Sequence, residues 1–144
     1  MDLFTSEMEN RIFFTTTSKK TIQDFIESVK ENAPRFNFGV RRVFDMREEY
    51  RKQNVNVDEE FELYQIMVCN YGRSYKSIRK NMERAAVLLQ PKQIIAYTEK
   101  GVTTINYLPF TKEFIKQAMP QDDGFQESLP ESCQRIIKLI EASK

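Results

Sequence analysis

Hydrophobic residues recur between positions 22 and 33 at the spacing that places them on one face of a helix. The apolar positions are Ile22, Phe25, Ile26, Val29 and Ala33. Mostly charged and polar residues fill the positions between them, so the opposite face is polar. The pattern predicts an amphipathic helix that buries one side, with Ser18 as its capping residue and Pro34 at its end.

Runs of aromatic and β-branched residues, together with alternating apolar residues, predict five strands. The predicted strands cover residues 12–17, 36–46, 61–69, 93–98 and 102–108. The last two flank Glu99-Lys100-Gly101, where glycine supplies the positive φ of a hairpin turn. The strand at 61–69 carries apolar residues on both faces, which is typical of a central strand.

The strand at 36–46 separates an apolar face from a mostly polar one. The predicted apolar face holds Phe36, Phe38, Val40, Phe44 and Met46. Arg42 is the charged exception on that face, and a cation there invites a ligand or a partner.

Further helices are predicted at 48–53, at 73–84, after Thr111 and around Ser128, where a capping-box pattern begins. The buried stripe of the last helix is Cys133, Ile136, Ile137 and Ile140. This order of elements indicates a two-layer α+β sandwich with a mixed or antiparallel sheet. We expect helices on one face of the sheet, and we expect the other face to be either exposed to solvent or paired with a second subunit.

The composition excludes several kinds of chemistry. The 144 residues contain no His and two Cys, so a Ser-His-Asp triad, a Cys-His pair, a His-ligated zinc site and an all-cysteine zinc site are excluded. Lys and Arg number 22 and Asp and Glu number 21, and this balance disfavours nucleic acid as the main partner. We expect no cofactor and no metal.

Acidic residues cluster at Asp58, Glu59, Glu60 and Glu62. Carboxylates can bind a hard cation, but this cluster lacks the glycine and the ligand spacing of a calcium loop. A solvated acidic edge is therefore the preferred interpretation.

The N-terminus has no basic patch followed by an apolar run, and no stretch approaches about 18 consecutive apolar residues. We therefore expect a cytoplasmic protein without a membrane segment. In that compartment Cys69 and Cys133 stay reduced.

The best candidate for a functional site is the segment at 68–74, where a predicted strand runs into a predicted helix. Such a junction presents backbone N–H groups and the positive end of the helix to an anion. Gly72 lets a ligand approach the backbone closely, and Arg73 adds a positive charge. Cys69 and Asn70 complete this candidate set.

The segment from Arg73 to Arg84 contains five basic residues and one acidic residue, a local charge of +4. The functional interpretation of the junction and this segment is a pocket for an anion or a phosphate. The alternative is an ordinary strand–turn–helix with a solvated basic face, because a single glycine is not a phosphate-loop signature.

Cys69 has two interpretations of its own. A thiol at the N-terminus of a helix ionises readily, so Cys69 is a candidate nucleophile or redox sensor. Against this, the chain has no His to activate a thiol, and Cys is often buried and inert. Cys133 lies on the apolar stripe of its helix and is interpreted as a core residue.

The chain resembles the bacterial and archaeal family called domain of unknown function 302, from Arg11 to roughly Lys116. The first strand, Phe13–Thr17, is aromatic and rich in Thr, and Phe38-Gly39-Val40 enters the second strand. The segment from Tyr64 to Asn70 is similar to the family's strand that ends in Cys-Asn. Val87–Pro91 is similar to the family's Leu-Leu-Pro stretch.

The resemblance implies a compact α+β fold related to the TATA-binding-protein-like sandwich, a homodimer and no established activity. Two residues depart from the family pattern. Tyr71 stands where the family commonly has Pro, and Lys92 stands where it often has a second Cys. Redox or metal chemistry that used both thiols is therefore not expected here. Lys92 instead adds a cation to the candidate anion site, if the two strand ends are adjacent.

The resemblance divides the chain into an N-terminal segment (1–10), an α+β domain (11–116) and a C-terminal helical extension (117–144). We expect the last helix to dock on the domain or on the dimer interface. Our functional hypothesis is a module that binds a small molecule or an anion, using Cys69, Asn70, Gly72, Arg73 and Lys92. The alternatives are a structural homodimer without a ligand and, less favoured, a thiol-dependent enzyme.

Overall fold

The computed structural model describes residues 11–90 and 93–144, and its sheet has five strands. The strands are β1 (Phe14–Ser18), β2 (Gly39–Asp45), β3 (Leu63–Cys69), β4 (Gln93–Glu99) and β5 (Val102–Tyr107). Their spatial order is β1-β5-β4-β3-β2, and every neighbouring pair is antiparallel. The sheet is therefore open, with β1 and β2 at its two edges.

Six α-helices occur in the described part of the chain, and none of them is long and apolar enough to cross a membrane. They are α1 (Ile22–Asn32), α2 (Met46–Lys52), α3 (Tyr71–Lys80), α4 (Ala85–Leu88), α5 (Lys112–Ala118) and α6 (Asp123–Ser143). Helices α1 and α6 pack together, and their buried residues form one core with one face of the sheet. The predicted two-layer α+β sandwich is confirmed.

Helix α1 buries the face that the sequence pattern predicts. Its residues Ile22, Phe25, Ile26 and Val29 are all buried. The cap, however, is Thr21, whose hydroxyl accepts the N–H of Asp24 at 3.1 Å, so the prediction of Ser18 as the cap is wrong. Ser18 ends β1 instead, and its hydroxyl donates to the carbonyl of the last residue, Lys144, at 2.9 Å.

Strand β2 differs from its predicted alternation because it contains a β-bulge between Val40 and Arg42. Val40 and Val43 lie opposite the buried Val68 and Ile66 and pack on the core. The bulge therefore turns Arg42 and its neighbour Phe44 to the other side of the sheet. The strand also starts only at Gly39, because residues 33–36 form a 3₁₀ turn.

The two faces of the sheet have different environments. The face toward α1 and α6 holds the buried strand residues Ile66, Val68, Ile94, Ala96 and Ile105. The opposite face, called here the outer face, carries Arg42, Phe44, Leu63, Gln65, Met67, Gln93, Ile95, Tyr97, Thr104 and Asn106. None of these outer-face residues is buried in the described chain. One layer of helices therefore covers one side of the sheet.

Helix α6 begins at Asp123 and not around Ser128, because the side chain of Asp122 accepts the N–H of Phe125 and caps the helix there. Residues 122–124 therefore form the start of this helix. Pro130 lies inside the helix, where its missing N–H removes one backbone hydrogen bond.

The apolar face of α6 packs into the core. Its buried hydrophobic residues are Phe125, Leu129, Cys133, Ile136, Leu139 and Ile140. At the other end of the helix, the ammonium of Lys20 donates to the carbonyl of Ser143 at 2.8 Å, a favourable position for a cation at a helix C-terminus. The helix is therefore an integral part of the folded domain.

This packing predicts a large loss of stability when α6 loses a core side chain. Leu139→Ala removes a fully buried side chain and leaves a cavity, so the free energy of unfolding should fall by about 2–5 kcal/mol. The exposed neighbour change Lys138→Ala is the control and should leave it nearly unchanged. Urea denaturation followed by circular dichroism measures both, and equal effects of the two changes would contradict the packing of α6.

Candidate functional site

A cavity of about 630 Å³ lies where β3 ends and α3 begins. Its lining residues come from β2, β3, β4, α3, α4 and α6 and from the segments that flank these elements. Sites for small molecules usually have volumes of about 300–1,000 Å³. The strand–helix junction that the sequence singles out therefore borders a cavity large enough for a small molecule.

One part of the lining is apolar and is called here the apolar wall. It consists of Phe38, Phe44, Met67, Val68, Leu88, Leu89, Phe125 and Leu129. Some of these side chains also belong to the core, but Leu89 is 68% exposed and Leu88 is half-buried. The apolar wall thus leaves hydrocarbon surface in contact with solvent.

A second part of the lining is positively charged and comes from α3. Arg73, Lys76 and Lys80 line the cavity, with Ser77 among them, at the spacing of one helical face. These three cations are called here the basic wall. The opposite side of α3 carries Tyr75, which is 67% exposed. Helix α3 therefore turns three of its four cations toward the cavity and an aromatic residue toward solvent.

The charge of the lining is unbalanced. Arg42 and Arg84 also line the cavity, so five basic side chains border it, and no Asp or Glu is among the lining residues. Within the described chain, no residue of the basic wall forms an ion pair. The cavity therefore has a positive potential, which its own lining does not neutralise.

Arg84 differs from the basic wall because it has a partner. Its Nε and Nη2 donate to the two carboxylate oxygens of Asp122 at 2.7 and 2.8 Å, a bidentate pair in which both side chains are about nine-tenths buried. Nη1 donates to the hydroxyl of Ser77 at 3.0 Å, and the guanidinium lies over the ring of Phe125. The pair joins the segment after α3 to the start of α6.

The same ion pair shifts the ionisation of its members. The hydrogen bonds from Arg84 hold the pKa of the Asp122 carboxyl well below its usual range, and bonds from Phe125 N–H and Asn81 add to the effect. The hydrogen bonds that Arg84 donates to Asp122 raise the pKa of Arg84. Both groups are therefore charged at neutral pH.

Among the sequence-predicted site residues, Cys69, Asn70 and Arg73 line the cavity. Cys69 is half-buried at the end of β3. The side-chain oxygen of Asn70 accepts the N–H of Arg73 at 3.1 Å, and its amide donates to the carbonyl of Asn37 at 2.9 Å. Asn70 is thus the cap of α3, and this structural role uses both ends of its side chain.

Gly72 does not line the cavity, and Lys92 lies outside the described residues. Helix α3 starts at Tyr71, so Gly72 is in its first turn and not in a loop before it. A Cβ built on Gly72 would meet only the side-chain oxygen of Asn70, at 3.6 Å, which is an ordinary contact. Neither the backbone nor the surroundings of position 72 require glycine.

The structure adds residues that sequence reasoning did not place at the site. Arg42 and Phe44 reach it because of the bulge in β2, and Phe125 and Leu129 reach it from α6. For Arg42 the sequence contained a signal, because it is the one charged residue on a predicted apolar face. For the α6 residues the sequence contained no such signal, because an apolar stripe on a helix predicts only that the helix packs on a core.

The start of α3 is fixed by a second contact. The guanidinium of Arg41, the extra residue of the bulge, lies 4.8 Å from the ring centre of Tyr71. The bulge therefore joins β2 to the first turn of α3, at the mouth of the cavity.

The other candidate chemistries lack an assembled site in the described chain. Across residues 11–90 and 93–144, no three Asp, Glu or Cys side chains come together in a way that could hold a metal ion, and this includes the acidic residues at 58–62. Cys133 is buried on α6, and its sulfur accepts the N–H of Phe110 at 3.4 Å. Burial strongly raises the pKa of the neighbouring Tyr107 hydroxyl.

Comparison with known proteins places the chain in a family. The model of the family described as domain of unknown function DUF302 matches residues 14–143. The chain belongs to the DUF302 family. The resemblance seen in the sequence is thus confirmed, and the matched region includes α6 of this DUF302 protein.

One solved structure agrees with the fold. It is the crystal structure of an uncharacterized conserved protein DUF302 from Bacillus stearothermophilus, with a TM-score of 0.74 and 18% sequence identity. The superposition covers 92% of this chain and 98% of that one. No curated protein matches the chain. The comparisons therefore establish the family and the fold.

The ion pair at Asp122 predicts a specific pH dependence of stability. An Asp carboxyl in the unfolded chain has a pKa of about 3.9, and the folded value is lower. The stabilisation is therefore complete above the unfolded pKa and is lost as the pH falls through the folded pKa. Replacing Asp122 by Asn removes this titration.

The difference in unfolding free energy between wild type and Asp122→Asn should be largest above about pH 5 and should shrink toward about pH 2. Urea denaturation at a series of pH values measures it. Asp123→Asn, one residue further along and outside the ion pair, is the control and should keep the wild-type dependence. A difference for Asp122→Asn that stays constant across this range would contradict the ion pair.

Proposed function

We propose that this DUF302 protein binds a small anionic molecule in the cavity between α3 and the apolar wall. The observation that carries the proposal is the charge of the lining, which has no carboxylate and five basic side chains, of which only Arg84 has an ion-pair partner. A lining without acids is unusual for a chain in which acids and bases are almost equal in number. An anion supplies the missing negative charge.

The state of α3 supports the same conclusion. The helix has four basic residues and no acidic residue, and none of its residues is buried. Like charges on neighbouring turns destabilise a helix. Since apolar burial contributes little here, an anion bound against the basic wall would stabilise α3 by neutralising this repulsion.

The cavity also offers neutral hydrogen-bond donors beside the charges. The hydroxyls of Ser74 and Ser77 lie on the same side of α3 as the basic wall, and Tyr71 lines the cavity at the start of the helix. Phosphate and carboxylate groups are commonly bound by such a combination of cations and hydroxyl donors. The site therefore suits an oxyanion.

A second candidate function is a homodimer that joins two copies through the outer face of the sheet. The centre of this face is uncharged and partly apolar, with Leu63 opposite Tyr97 and Gln65 opposite Ile95. An uncharged centre does not repel a second copy of itself, and a twofold axis would pair this central patch with its own copy. The two proposals use different surfaces for the most part and are compatible.

The anion-binding proposal predicts that charge matters on only one side of α3. Lys76→Gln should weaken the binding of inorganic phosphate by about 0.5–1.5 kcal/mol, because Lys76 belongs to the basic wall. Arg79→Gln removes one charge from the same helix outside the lining and should have a smaller effect. Isothermal titration calorimetry at low ionic strength gives both affinities.

Added salt should weaken phosphate binding to the wild type, because the cations are solvent-accessible and screened. Equal losses for Lys76→Gln and Arg79→Gln would show only general attraction to a basic helix. No heat and no thermal stabilisation at millimolar phosphate or organic acid would contradict the proposed function.

The dimer proposal predicts a mass in solution of about twice 17.1 kDa, measured by light scattering after gel filtration. Ile95→Lys places a charge at the centre of the outer face and should give a folded monomer. Gln134→Lys, at an exposed position of α6 on the other side of the sheet, is the control and should remain dimeric. A monomeric wild type at the highest concentration measured would contradict the proposal.

A further inference from the structure

The cavity has two walls of opposite character. The basic wall lies along α3, whereas the apolar wall is formed by the strands, by α4 with the residue after it, and by α6. We propose that the ligand is an amphiphilic anion, in which a phosphate or carboxylate head group is joined to an aliphatic body. This inference rests on the proposed function and specifies the class of ligand.

The head group is assigned to the basic wall. Arg73, Lys76 and Lys80 lie on successive turns of α3 and have no ion-pair partner among the described residues. Arg84 is not available in the same way, because Asp122 holds its guanidinium with two hydrogen bonds. Three of the four lining cations without an ion pair therefore lie together on α3, and the fourth, Arg42, lies on β2.

The body is assigned to the apolar wall. Inorganic phosphate would leave this wall in water, and an uncharged hydrocarbon would leave the basic wall unpaired. Leu88 and Leu89 present apolar surface from the segment that follows α3, and Met67 and Phe44 present it from the outer face of the sheet. Met side chains adapt readily to chains of irregular shape.

The direction in which the cations point favours a free amphiphile over a lipid in a bilayer. A membrane-binding helix turns its cations and apolar residues outward to a flat surface. Here three of the four cations of α3 face a cavity, and only Arg79 lies with Tyr75 outside its lining. A molecule that enters the cavity can reach the basic wall, whereas a flat membrane surface meets the other side of α3.

The primary experiment uses the wild-type protein and needs no mutation. Calorimetry compares inorganic phosphate with butyl, hexyl and octyl phosphate, each below its micelle-forming concentration. The affinity should rise by up to about fourfold for each methylene that leaves water, until the apolar wall is covered. Octanoate should also bind, because the head-group site is defined by positive charge.

The outcomes separate this inference from the proposed function. If octyl phosphate binds no more tightly than inorganic phosphate, the amphiphile inference is overturned while the anion site stands. If none of these anions binds, both proposals fail. If octanol binds as tightly as octyl phosphate, the charged head group is unnecessary, which also overturns the inference.

A matched pair of variants tests the position of the body. Leu89→Gln changes an exposed residue of the apolar wall, and Met82→Gln changes an equally exposed residue, 65% accessible, that lies outside the lining. Leu89→Gln should lower the affinity for octyl phosphate several-fold and leave that for inorganic phosphate unchanged. Met82→Gln should alter neither. The opposite pattern would overturn the assignment of the apolar wall.

Sedimentation with vesicles distinguishes the source of the amphiphile. The protein should not co-sediment with phosphatidylglycerol vesicles at an ionic strength near 0.15 M, because weak electrostatic attraction to a surface is screened there. Co-sedimentation that octyl phosphate does not displace would overturn the inference in favour of a membrane surface.

Discussion

The ion pair between Arg84 and Asp122 determines the geometry on which the cavity depends. Arg84 belongs to the connection between β3 and β4, and Asp122 caps α6, so the pair holds that connection against the helical layer. Both side chains are largely buried, and removing one partner of a buried pair generally costs about 3–5 kcal/mol. The cavity lies between the two parts that the pair joins.

This arrangement fixes the ends of α3 and leaves its middle exposed. Asn70 caps the first turn, Arg41 packs on Tyr71, and Arg84 fastens the segment that follows the helix. Between these contacts no residue of α3 is buried, and three of its four cations face the cavity. A helix held in this way keeps several like charges close together, which is unfavourable until an anion binds. The same contacts that place α3 therefore create the positive potential of the site.

The sequence predicts the elements well where the signals are local and fails where distant residues compete. The apolar stripe of α1 and the hairpin after β4 follow from short patterns, and the structure agrees with both. The bulge at Arg41 depends on pairing with β3, so period-two alternation along one strand cannot reveal it. The start of α6 depends on Asp122, and the sequence does not show that this side chain pairs with Arg84, which is distant in the chain. The strand–helix junction of the site was predictable because it is continuous in the chain, but the wall from α6 was not, since it lies about fifty residues away.

The central claim is that an anion binds against the basic wall of α3. The most direct test is an NMR titration of the ¹⁵N-labelled protein with octyl phosphate, which reports on every backbone amide at once. The account predicts saturable shifts concentrated in α3 from Arg73 to Lys80 and around Leu88 and Leu89, with little change in α5. Shifts confined to other surfaces, or shifts that grow linearly without saturation, would contradict it.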